Sequence, residues 1–434
     1  MESILRLSLL LLFLTIPAAA AAAQDAAPPG DPGPVLELDE LISRVLQQNQ
    51  DLAAYQSDRL AAAERAAASG AFPNPSVGVA IRSLPVPSFS FTEDMMTMSE
   101  VMVRQQIPWF GKQGLRRDAK GKFVEVSDAE AGALRLSLAE AVTAAYSELW
   151  LATASREVIE QKERALQRLA FLAQSRLASG GARQAEVLRA ELELSRIALP
   201  FQDLEEREAA ARATLGALLA AELPLGGTPS LPVLAALPPQ PSLMERLSHH
   251  PELLALERRE EQARLEARLA AKEKWPDPEI GLAYGVRVGA PDMIGAEVMI
   301  PLPLFAGTNQ DRQAAAARAD AEAIARRRTA RRATLAGELR AAWAGIRLQE
   351  ERLSHFETEL IPQARRSVEA ALGAYQAGGV DYLAVLDAEL QRFGQELEAL
   401  EAKASLLRGR ARLARAAGSI ETLFNSSADG AEHE

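Results

Sequence analysis

The sequence predicts a mainly α-helical protein with a small membrane β part, built from two tandem repeats of one unit. Three observations predict this fold class. The 434 residues are 48% hydrophobic but only 5% aromatic, a composition rich in the alanine and leucine of long packed helices. Two very long stretches contain almost no helix breaker, and sequence landmarks recur in the same order in both halves. Each repeat is expected to hold a helix, a strand pair and a long helical hairpin.

The N-terminus has the order of a secretory signal peptide at residues 1–23. A single arginine, Arg6, is followed by an apolar run over 7–16 and an alanine tract that ends before Gln24. The alternative, a buried N-terminal helix, is disfavoured because the segment runs directly into the Pro- and Gly-containing residues 24–36. We therefore expect an exported protein whose residues 24–36 are flexible.

Composition excludes several classes of protein. No later run reaches the roughly 18 apolar residues of a membrane-crossing helix, so membrane passage would require strands. The chain has no cysteine, which predicts no disulfide, no thiolate metal site and no lipid-accepting residue. The net charge of -11 argues against a nucleic-acid partner. No nucleophile and base pair, phosphate loop or metal-ligand spacing is present, so we predict neither a cofactor nor enzymatic activity.

The first landmark opens each half. Residues 45–52 align with residues 246–253, and each segment leads into an amphipathic helix rich in Ala, Arg and Glu. Both helices end at paired prolines, which break the helix and force extended backbone. The predicted junction residues are Pro73 and Pro75 in the first half and Pro276 and Pro278 in the second.

The second landmark is a pair of alternating segments after each proline cluster. Apolar residues alternate with small or charged ones over 280–288 and 296–302, separated by a turn at 290–292. The first half repeats this more weakly over 77–81 and 101–107. One apolar face over roughly 9–10 residues is typical of a tilted membrane strand. A hairpin in a soluble β-domain is the alternative.

The third landmark follows the strands and begins the long helices. Residues 107–111 correspond to 302–307, which adds the junction residues Pro108, Gly111, Pro303 and Gly307. Helical sequence then runs over 112–177 and 310–376, interrupted only by Pro362, and each stretch would reach roughly 100 Å.

Glycine pairs end both long helices and predict the tips of helical hairpins. The pairs are Gly180 with Gly181 and Gly378 with Gly379. The return helices, over 183–220 and 381–418, carry apolar stripes with a 3.5-residue period, which predicts coiled-coil packing. Pro200 should kink the first of them. The predicted repeats are 37–221 and 242–420, joined by a connector at 222–241 that wraps on the helices and followed by a disordered tail at 421–434.

These landmarks together resemble the TolC family of outer-membrane efflux proteins, over nearly all of the mature chain. The segments that carry the likeness most clearly are residues 106–112 and 385–388. Four strands cannot close on themselves, and an open strand edge in lipid is costly, so several copies should share one barrel. The resemblance implies a homotrimer with a shared trimeric β-barrel in the outer membrane and a periplasmic helical tunnel. It also implies a periplasmic adaptor and an inner-membrane pump of the resistance-nodulation-division type.

The resemblance also implies an acidic ring at the tunnel entrance. Asp387 matches one acidic position of the family, whereas Ala384 stands where TolC has another acid, so a cation-binding ring would have to use Asp381 instead. A solvated helix-face acid is the alternative for Asp387.

Four methionines lie near the first strand pair. Met95, Met96, Met98 and Met102 are predicted to cluster in the hairpin between the strands. Thioethers are soft ligands suited to Cu(I) or Ag(I), and this segment is similar to the heavy-metal efflux branch of the family. Adaptable apolar filling of a loop is the alternative.

The remaining candidates favour structural roles. His249 and His250 occupy the helix-entry position that reads Gln48-Asn49 in the first half, so a local role is expected rather than a metal pair. The arginines at 326–328 and 331–332 predict a solvated face, or else a surface that contacts an adaptor or another subunit. Drug efflux, type I secretion, and a periplasmic coiled-coil scaffold or adaptor remain alternatives for the function.

Overall fold

The computed structural model describes residues 35–86, 88–220, 227–234 and 236–422. The predicted signal peptide, most of the predicted flexible segment and most of the predicted tail lie outside these ranges. The elements of the described chain are β1 (Val35–Leu36), α1 (Leu38–Gln48), α2 (Gln50–Ser69), β2 (Ser76–Arg82), β3 (Met98–Gln106), α3 (Lys112–Ala178), α4 (Gln184–Arg196), α5 (Ala198–Leu219), β4 (Thr228–Pro229), α6 (Gln240–Arg246), α7 (Pro251–Lys272), β5 (Glu279–Val286), β6 (Met293–Met299), α8 (Gln310–His355), α9 (Ile361–Gln376) and α10 (Tyr382–Ala417).

The long helices have the predicted length. Helix α3 is continuous over 67 residues, and the segment from the start of α8 to the end of α9 covers the same number. A π-helical turn, Phe356–Leu360, joins α8 to α9 just before Pro362. Proline cannot donate to the carbonyl four residues earlier, and the wider turn keeps the helix continuous at that point. None of the helices in the described ranges combines the length and the apolar composition needed to cross a membrane.

The return helices differ between the halves as their prolines predict. The first is interrupted at Ile197, which separates α4 from α5, because Pro200 lacks the amide that would bond to the carbonyl of Arg196. The second, α10, is unbroken over 36 residues. The predicted apolar stripe of α10 faces its neighbours, with Leu386, Phe393 and Leu407 almost fully buried.

The helices form two open rows. Towards the glycine tips the order is α5, α3, α10 and α8, because α10 packs between α3 and α8 while α5 packs on α3. Towards the sheet the order is α2, α3, α7 and α8, with α7 between α3 and α8. Helices of the first half therefore lie at one end of both rows, and α8 lies at the other end.

The described residues of the connector and of the first strand are attached to the long helices. Strand β1 pairs in parallel with β4, so the last two residues of the segment predicted to be flexible are ordered. The hydroxyl of Tyr146 lies 2.6 Å from the carbonyl oxygens of Leu36 and Ser230. The indole of Trp343 donates to the carbonyl of Pro238 at 3.0 Å. At the other terminus, a 3₁₀ turn at Ile420–Thr422 includes the first two residues of the predicted tail.

The four long strands form one antiparallel sheet in the order β2-β3-β5-β6. The strands have seven to nine residues, close to the predicted runs in length, although β6 lies three residues before the run predicted at 296–302. One row across the sheet joins Val79, Val101, Tyr284 and Ile294, all on the same face. Strands β2 and β6 are the two edges, and each has one side that is unpaired among the residues that the structure describes.

Both glycine pairs close their helices in the same way. Gly180 and Gly378 have φ of 75° and 80°, in the left-handed region. The amide of the first glycine bonds to the carbonyl three residues earlier, and the amide of the second bonds to the carbonyl five residues earlier. This is the Schellman motif, in which only the first position needs a positive φ.

We expect Gly378→Ala to destabilise the second hairpin by about 1 kcal/mol, because alanine is strained at positive φ. Gly379→Ala is the matched control, since its Cβ would meet the carbonyl oxygen of Ala374 at an ordinary 3.5 Å. The free energy of unfolding, measured for both variants under identical conditions, checks this. Equal losses in the two variants would contradict the assignment.

Candidate functional site

One face of the sheet is mainly apolar and exposed. Val79 is 77% exposed and Ile294 is 81% exposed, although both lie in the middle of their strands. The apolar residues that share this face are Val77, Val79, Ile81, Val101, Val103, Ile280, Leu282, Tyr284, Val286, Ile294, Ala296 and Val298, and Ser99 and Gln105 at the two ends of β3 lie on it as well. A continuous exposed apolar surface of this kind marks a face that contacts lipid or another protein.

The opposite face of the sheet is polar and its charges are paired. The guanidinium of Arg82 donates two hydrogen bonds of 2.8 Å to the carboxylate of Glu100, which is buried. Arg104 donates to Glu297 at 2.7 Å and lies 3.7 Å from Glu279. The Arg82 pair joins the neighbouring strands β2 and β3, whereas Arg104 reaches across β5 to Glu297 of β6, so these charges on the polar face are paired.

The structure divides the predicted methionine cluster. Met95 and Met96 are exposed in the loop after β2, whereas Met98 and Met102 belong to β3 and lie on its polar face. The prediction that all four lie in the hairpin loop is therefore wrong. Strand β3 begins at Met98 because Arg82 of β2 pairs with it there. Met98 and Met102 are four residues apart along the strand, about 13 Å, too far to share one ion.

A buried lysine joins the two halves where strands meet helices. Lys112, the first residue of α3, has a side chain only 2% exposed. Its Nζ donates to Glu273 at 3.0 Å and to the carbonyl oxygen of Trp275 at 2.7 Å, and lies 2.9 Å from Asp277 Oδ1. The same Asp277 oxygen accepts the amide of Trp109 at 2.7 Å. We call Lys112, Glu273 and Asp277 the junction lock.

The junction lock combines one ammonium with two carboxylates and is bonded to the backbone of two stacked tryptophans. Partial burial opposes ionisation of Asp277, but the Trp109 amide and the Lys112 ammonium outweigh it and hold the pKa of this carboxyl below its ordinary value. The indoles of Trp109 and Trp275 stack 5.3 Å apart. The sequence alone pointed to the flanking prolines and Gly111 but not to the charged residues. The position of Asp277 between two prolines is the feature of the sequence that could have indicated its role.

The predicted junction residues all lie between helices and strands. Gly111 has a φ of 79°, a conformation that favours glycine, whereas the Lys272 ammonium 2.7 Å from its Cβ position is the end of a flexible side chain that can move away. Gly307 has no such constraint, and nothing lies within 4 Å of its Cβ position. The second-half junction is otherwise open, with Leu302, Leu304 and Phe305 each at least 70% exposed.

At the glycine tips, one network joins the two hairpins. Arg176 of α3 donates to the carbonyl oxygen of Tyr375 of α9, and its guanidinium lies 4.4 Å from the centre of that ring. The hydroxyl of Tyr375 donates to Glu186 of α4 at 3.2 Å. We call Arg176, Tyr375 and Glu186 the tip latch. Sequence analysis missed it because its members are far apart in the chain.

A second tyrosine packs against the tip latch. Tyr382 packs edge-on against Tyr375, with ring centres 6.1 Å apart, and is completely buried. Burial, together with nearby negative groups, raises the pKa of Tyr382 to about 12. The ring is therefore neutral at physiological pH and acts as apolar support.

The two predicted tip aspartates have different surroundings. Asp381 caps the N-terminus of α10, because its carboxylate accepts the amide of Ala384 at 3.1 Å. Asp387 is exposed six residues further along and forms no ion pair with any residue that the structure describes.

His250 has a local structural role, as predicted. Its Nδ1 accepts the amide of Glu252, and its Nε2 donates to the carbonyl oxygen of Arg415 at 2.9 Å. Burial lowers the pKa of His250, which keeps the ring neutral and Nδ1 free to accept. Asn49 caps α2 in the equivalent position of the first half, accepting the amides of Asp51 and Leu52.

The arginine run of α8 is partly paired. Arg331 bonds to Glu252 at 2.6 Å and Arg328 to Glu257 at 3.2 Å, which ties α8 to α7. Arg327 and Arg332 are exposed and form no ion pair within the described ranges. Among the residues placed by the structure, no group of three His, Asp or Glu side chains is arranged to hold a metal ion.

Comparisons with known proteins agree with this fold. The structure of the outer-membrane channel OprN superposes with a TM-score of 0.76 at 21% identity and covers 93% of this chain and 97% of that one. VceC from Vibrio cholerae gives 0.75 at 19% identity over 88% and 96%, and CusC gives 0.76 at 17% over 92% and 99%. At these identities the likeness concerns the fold, and it confirms the predicted TolC-like class.

Comparison with curated protein sequences gives no match. The family profile described as outer membrane efflux protein, in contrast, matches residues 41–221 and 243–419, which together make up most of the chain. These two ranges contain the strand pair, the long helix and the returning helix of each half. The chain is therefore a member of the outer membrane efflux protein family.

Proposed function

We propose that several copies of this chain, three by family likeness, assemble into the outer-membrane channel of an efflux system. The observation that carries the proposal is the sheet, which has one exposed apolar face and one polar face with paired charges. In the assembled channel, lipid contacts the apolar face and a water-filled lumen contacts the polar face, as in other membrane strands. An open sheet edge would leave unpaired backbone groups in lipid, so the two edges must be paired with other copies.

The helical rows suit a periplasmic tunnel below the sheet. Each long helix has 67 residues, or roughly 100 Å at 1.5 Å per residue, enough to extend far from the membrane. The tips would then form the entrance, where an adaptor and an inner-membrane pump of the resistance-nodulation-division type deliver substrate. In this arrangement outer-membrane lipid contacts the chain only at the apolar face of the sheet.

The tips also offer a gate. The tip latch holds the hairpins of both halves together within one chain, which favours a narrow entrance. Asp387 is exposed near this entrance without a cation partner among the described residues, and three copies would place three such carboxylates around the opening. We propose that these carboxylates bind cations there and reduce conduction.

Single-channel recording in planar bilayers tests the channel and its gate together. The purified protein should form discrete pores, and multivalent cations should block them. Asp387→Asn should weaken block several-fold, since each lost charge removes an attraction of about 1 kcal/mol at 4 Å in water. Glu40→Gln removes an exposed charge of α1 and is the control. Absence of pores would reject the channel, and unchanged block would reject the ring alone.

Heavy-metal export is a second candidate, supported by the distribution of methionine. The chain has eight methionines, and Met98, Met102, Met293 and Met299 all lie on the polar face of the sheet. A row of thioethers along a lumen would give weak, successive contacts to a soft cation such as Ag(I) or Cu(I).

Silver tolerance of cells that depend on this channel tests the metal candidate. The paired change Met98→Leu and Met102→Leu conserves volume and should lower tolerance to Ag(I), while export of an organic dye stays normal. Met95→Leu with Met96→Leu changes only the exposed loop and is the control. Equal silver tolerance in both double variants and in the unmodified protein would remove the metal proposal.

A further inference from the structure

Two helices of the second half meet at one buried histidine. Helix α10 ends at Ala417 and α7 begins at Pro251, and both helices pack between α3 and α8. His250 precedes α7, is 1% exposed, and bridges the two helix ends with its imidazole. Its Nδ1 accepts the amide of Glu252 at 3.2 Å, and its Nε2 donates to the carbonyl oxygen of Arg415 at 2.9 Å. The joint between the row of helices towards the sheet and the row towards the tips therefore includes a titratable ring.

The hydrogen bonds of His250 fix its protonation state. A carbonyl oxygen can only accept, so Nε2 carries the single proton of the neutral ring and Nδ1 offers its lone pair to the Glu252 amide. A second proton would have to bind Nδ1, where it would face an N–H group. Protonation therefore breaks the cap of α7, whose first amides have no carbonyl partner within their own helix.

We propose that His250 is a proton-binding site that uncaps α7 in mild acid and loosens the joint between α7 and α10. The contacts concerned lie within one chain, so the inference goes beyond the proposed channel and does not depend on it. Histidine is the side chain whose charge changes between about pH 5 and pH 8, where ordinary carboxyl groups stay ionised. A response in this range therefore distinguishes the histidine from the acidic residues.

The surroundings of the ring leave it little room to move. Gly418 ends α10 with a φ of 80°, and a Cβ there would lie 3.1 Å from Cδ2 of His250. The carbonyl of Arg415 also accepts the amide of Gly418 at 3.1 Å, so one oxygen both closes α10 and holds the imidazole. On the α3 side, a Cβ at Gly132 would lie 3.3 Å from Pro251, which directly follows the histidine. A charged ring can therefore gain water only when the two helix ends move apart.

The charged groups around the imidazole come from each helix that packs at this joint. Glu252 of α7 bonds to Arg331 of α8 at 2.6 Å, and Arg331 also bonds to Glu338 at 3.0 Å. Arg415 of α10 bonds to Glu140 of α3 at 2.9 Å. Each of these carboxylates is already paired with an arginine. An imidazolium would therefore join a network whose charges are balanced without it.

The environment disfavours protonation while the chain is folded. Burial lowers the pKa of His250, and the bond to the Arg415 carbonyl and the charge of Glu252 offset only part of this effect. The positive N-terminal end of α7 acts in the same direction as burial. The unfolded chain therefore binds this proton more readily than the folded chain. The stability that the neutral ring contributes is complete above about pH 7.5 and is lost as the pH falls through the ordinary value of 6.5.

The equivalent cap of the first half does not titrate. Asn49 precedes α2, and its side chain accepts the amides of Asp51 and Leu52 at 3.0 and 3.1 Å. A carboxamide gains no proton in the range where histidine does. Only the second half therefore carries the acid-sensitive cap, and the first half provides an internal reference.

Hydrogen exchange of the unmodified, detergent-solubilised protein tests the proposal without a substitution. Amides at the start of α7, over 252–256, are compared with those at the start of α2, over 51–55. Exchange is measured at about pH 7.5 and about pH 5 and corrected for the intrinsic rate at each pH. Exchange at α7 should rise about tenfold relative to α2 in acid, because only α7 loses its cap. A ratio that is the same at both pH values would overturn the proposal.

His250→Asn tests the titrating group itself, since it places the cap of the first half in the second. For the unmodified protein, the equilibrium constant of unfolding should rise by up to about thirtyfold between about pH 7.5 and about pH 5. That is the full effect of one histidine that binds its proton only when unfolded. His250→Asn should lack this rise, whereas His249→Asn, at the exposed neighbouring position, should retain it. The proposal fails if His250→Asn and the unmodified protein show the same pH dependence over this range.

Discussion

Lys112→Met is expected to lower the free energy of unfolding by about 3 kcal/mol, because removing one partner of a buried ion pair leaves the other uncompensated. Methionine keeps the length of the side chain, so packing changes little. Asp277 would retain the Trp109 amide but lose the ammonium that lies 2.9 Å away. Glu273 would suffer less, since Arg116 also bonds to it at 2.9 Å.

Thermal and denaturant unfolding of the detergent-solubilised protein, at one fixed protein concentration, measures this loss. Lys122→Met is the matched control, because Lys122 is more exposed and its ion pairs should contribute less than about 1 kcal/mol. Adding Asp277→Asn to Lys112→Met should recover part of the loss, since asparagine is neutral and still accepts the Trp109 amide. Equal losses for the two lysines would contradict the junction lock.

The junction lock also predicts how stability depends on pH. The pKa of Asp277 is lower in the folded chain than its ordinary value of 3.8, so the unfolded chain binds its proton more readily. The contribution to stability is therefore complete above about pH 5 and is lost as the pH falls through 4 towards the folded value. The Asp277→Asn protein should lack this part of the acid sensitivity.

Arg176→Ala is expected to open the entrance of the channel and raise the open fraction by about tenfold or more. The change removes a charged hydrogen bond, worth about 1.5–3 kcal/mol, and a cation–π contact of about 0.5–1 kcal/mol. Each 1.4 kcal/mol changes an equilibrium about tenfold. Both contacts join α3 of the first half to α9 of the second, so their loss separates the hairpins.

Single-channel open times measure the effect of the tip latch. Arg366→Ala is the control on the same hairpin, because within the described ranges Arg366 bonds to the carbonyl of Pro362 in its own helix and to no other element. Tyr375→Phe removes the bond to Glu186 but keeps the ring beneath Arg176, so an intermediate increase is expected. Open times that are the same in Arg176→Ala and Arg366→Ala would show that the tip latch does not restrain the entrance.

Much of the fold is predictable from the positions of proline and glycine, which end helices and form turns. The first long helix was predicted to end at residue 177 and ends at Ala178, because a Schellman motif needs a left-handed residue and Gly180 provides it. The break before α5 follows from Pro200, whose missing amide is a local property of the chain. Such features depend on a few adjacent residues, so periodicity and turn residues reveal them.

The candidate sites were less predictable, since they join distant residues. Lys112 and Glu273 are 161 positions apart, and Arg176 and Tyr375 are 199 apart. Sequence patterns over neighbouring residues do not reveal contacts between residues this far apart. The error over Met98 has another cause: β-strand ends depend on cross-strand pairing, and β3 begins where Arg82 of β2 provides a partner.

The sequence by itself determined the duplicated order of helix, strand pair and long hairpin, because hydrophobic period, proline breaks and glycine turns act over short stretches of chain. Only the tertiary structure decided which elements of one half meet those of the other. That choice brings together the junction lock and the tip latch, and it leaves α8–β6 and β2–α2–α5 as open edges. It depends on packing and charge pairing between residues far apart in sequence, which local patterns do not encode.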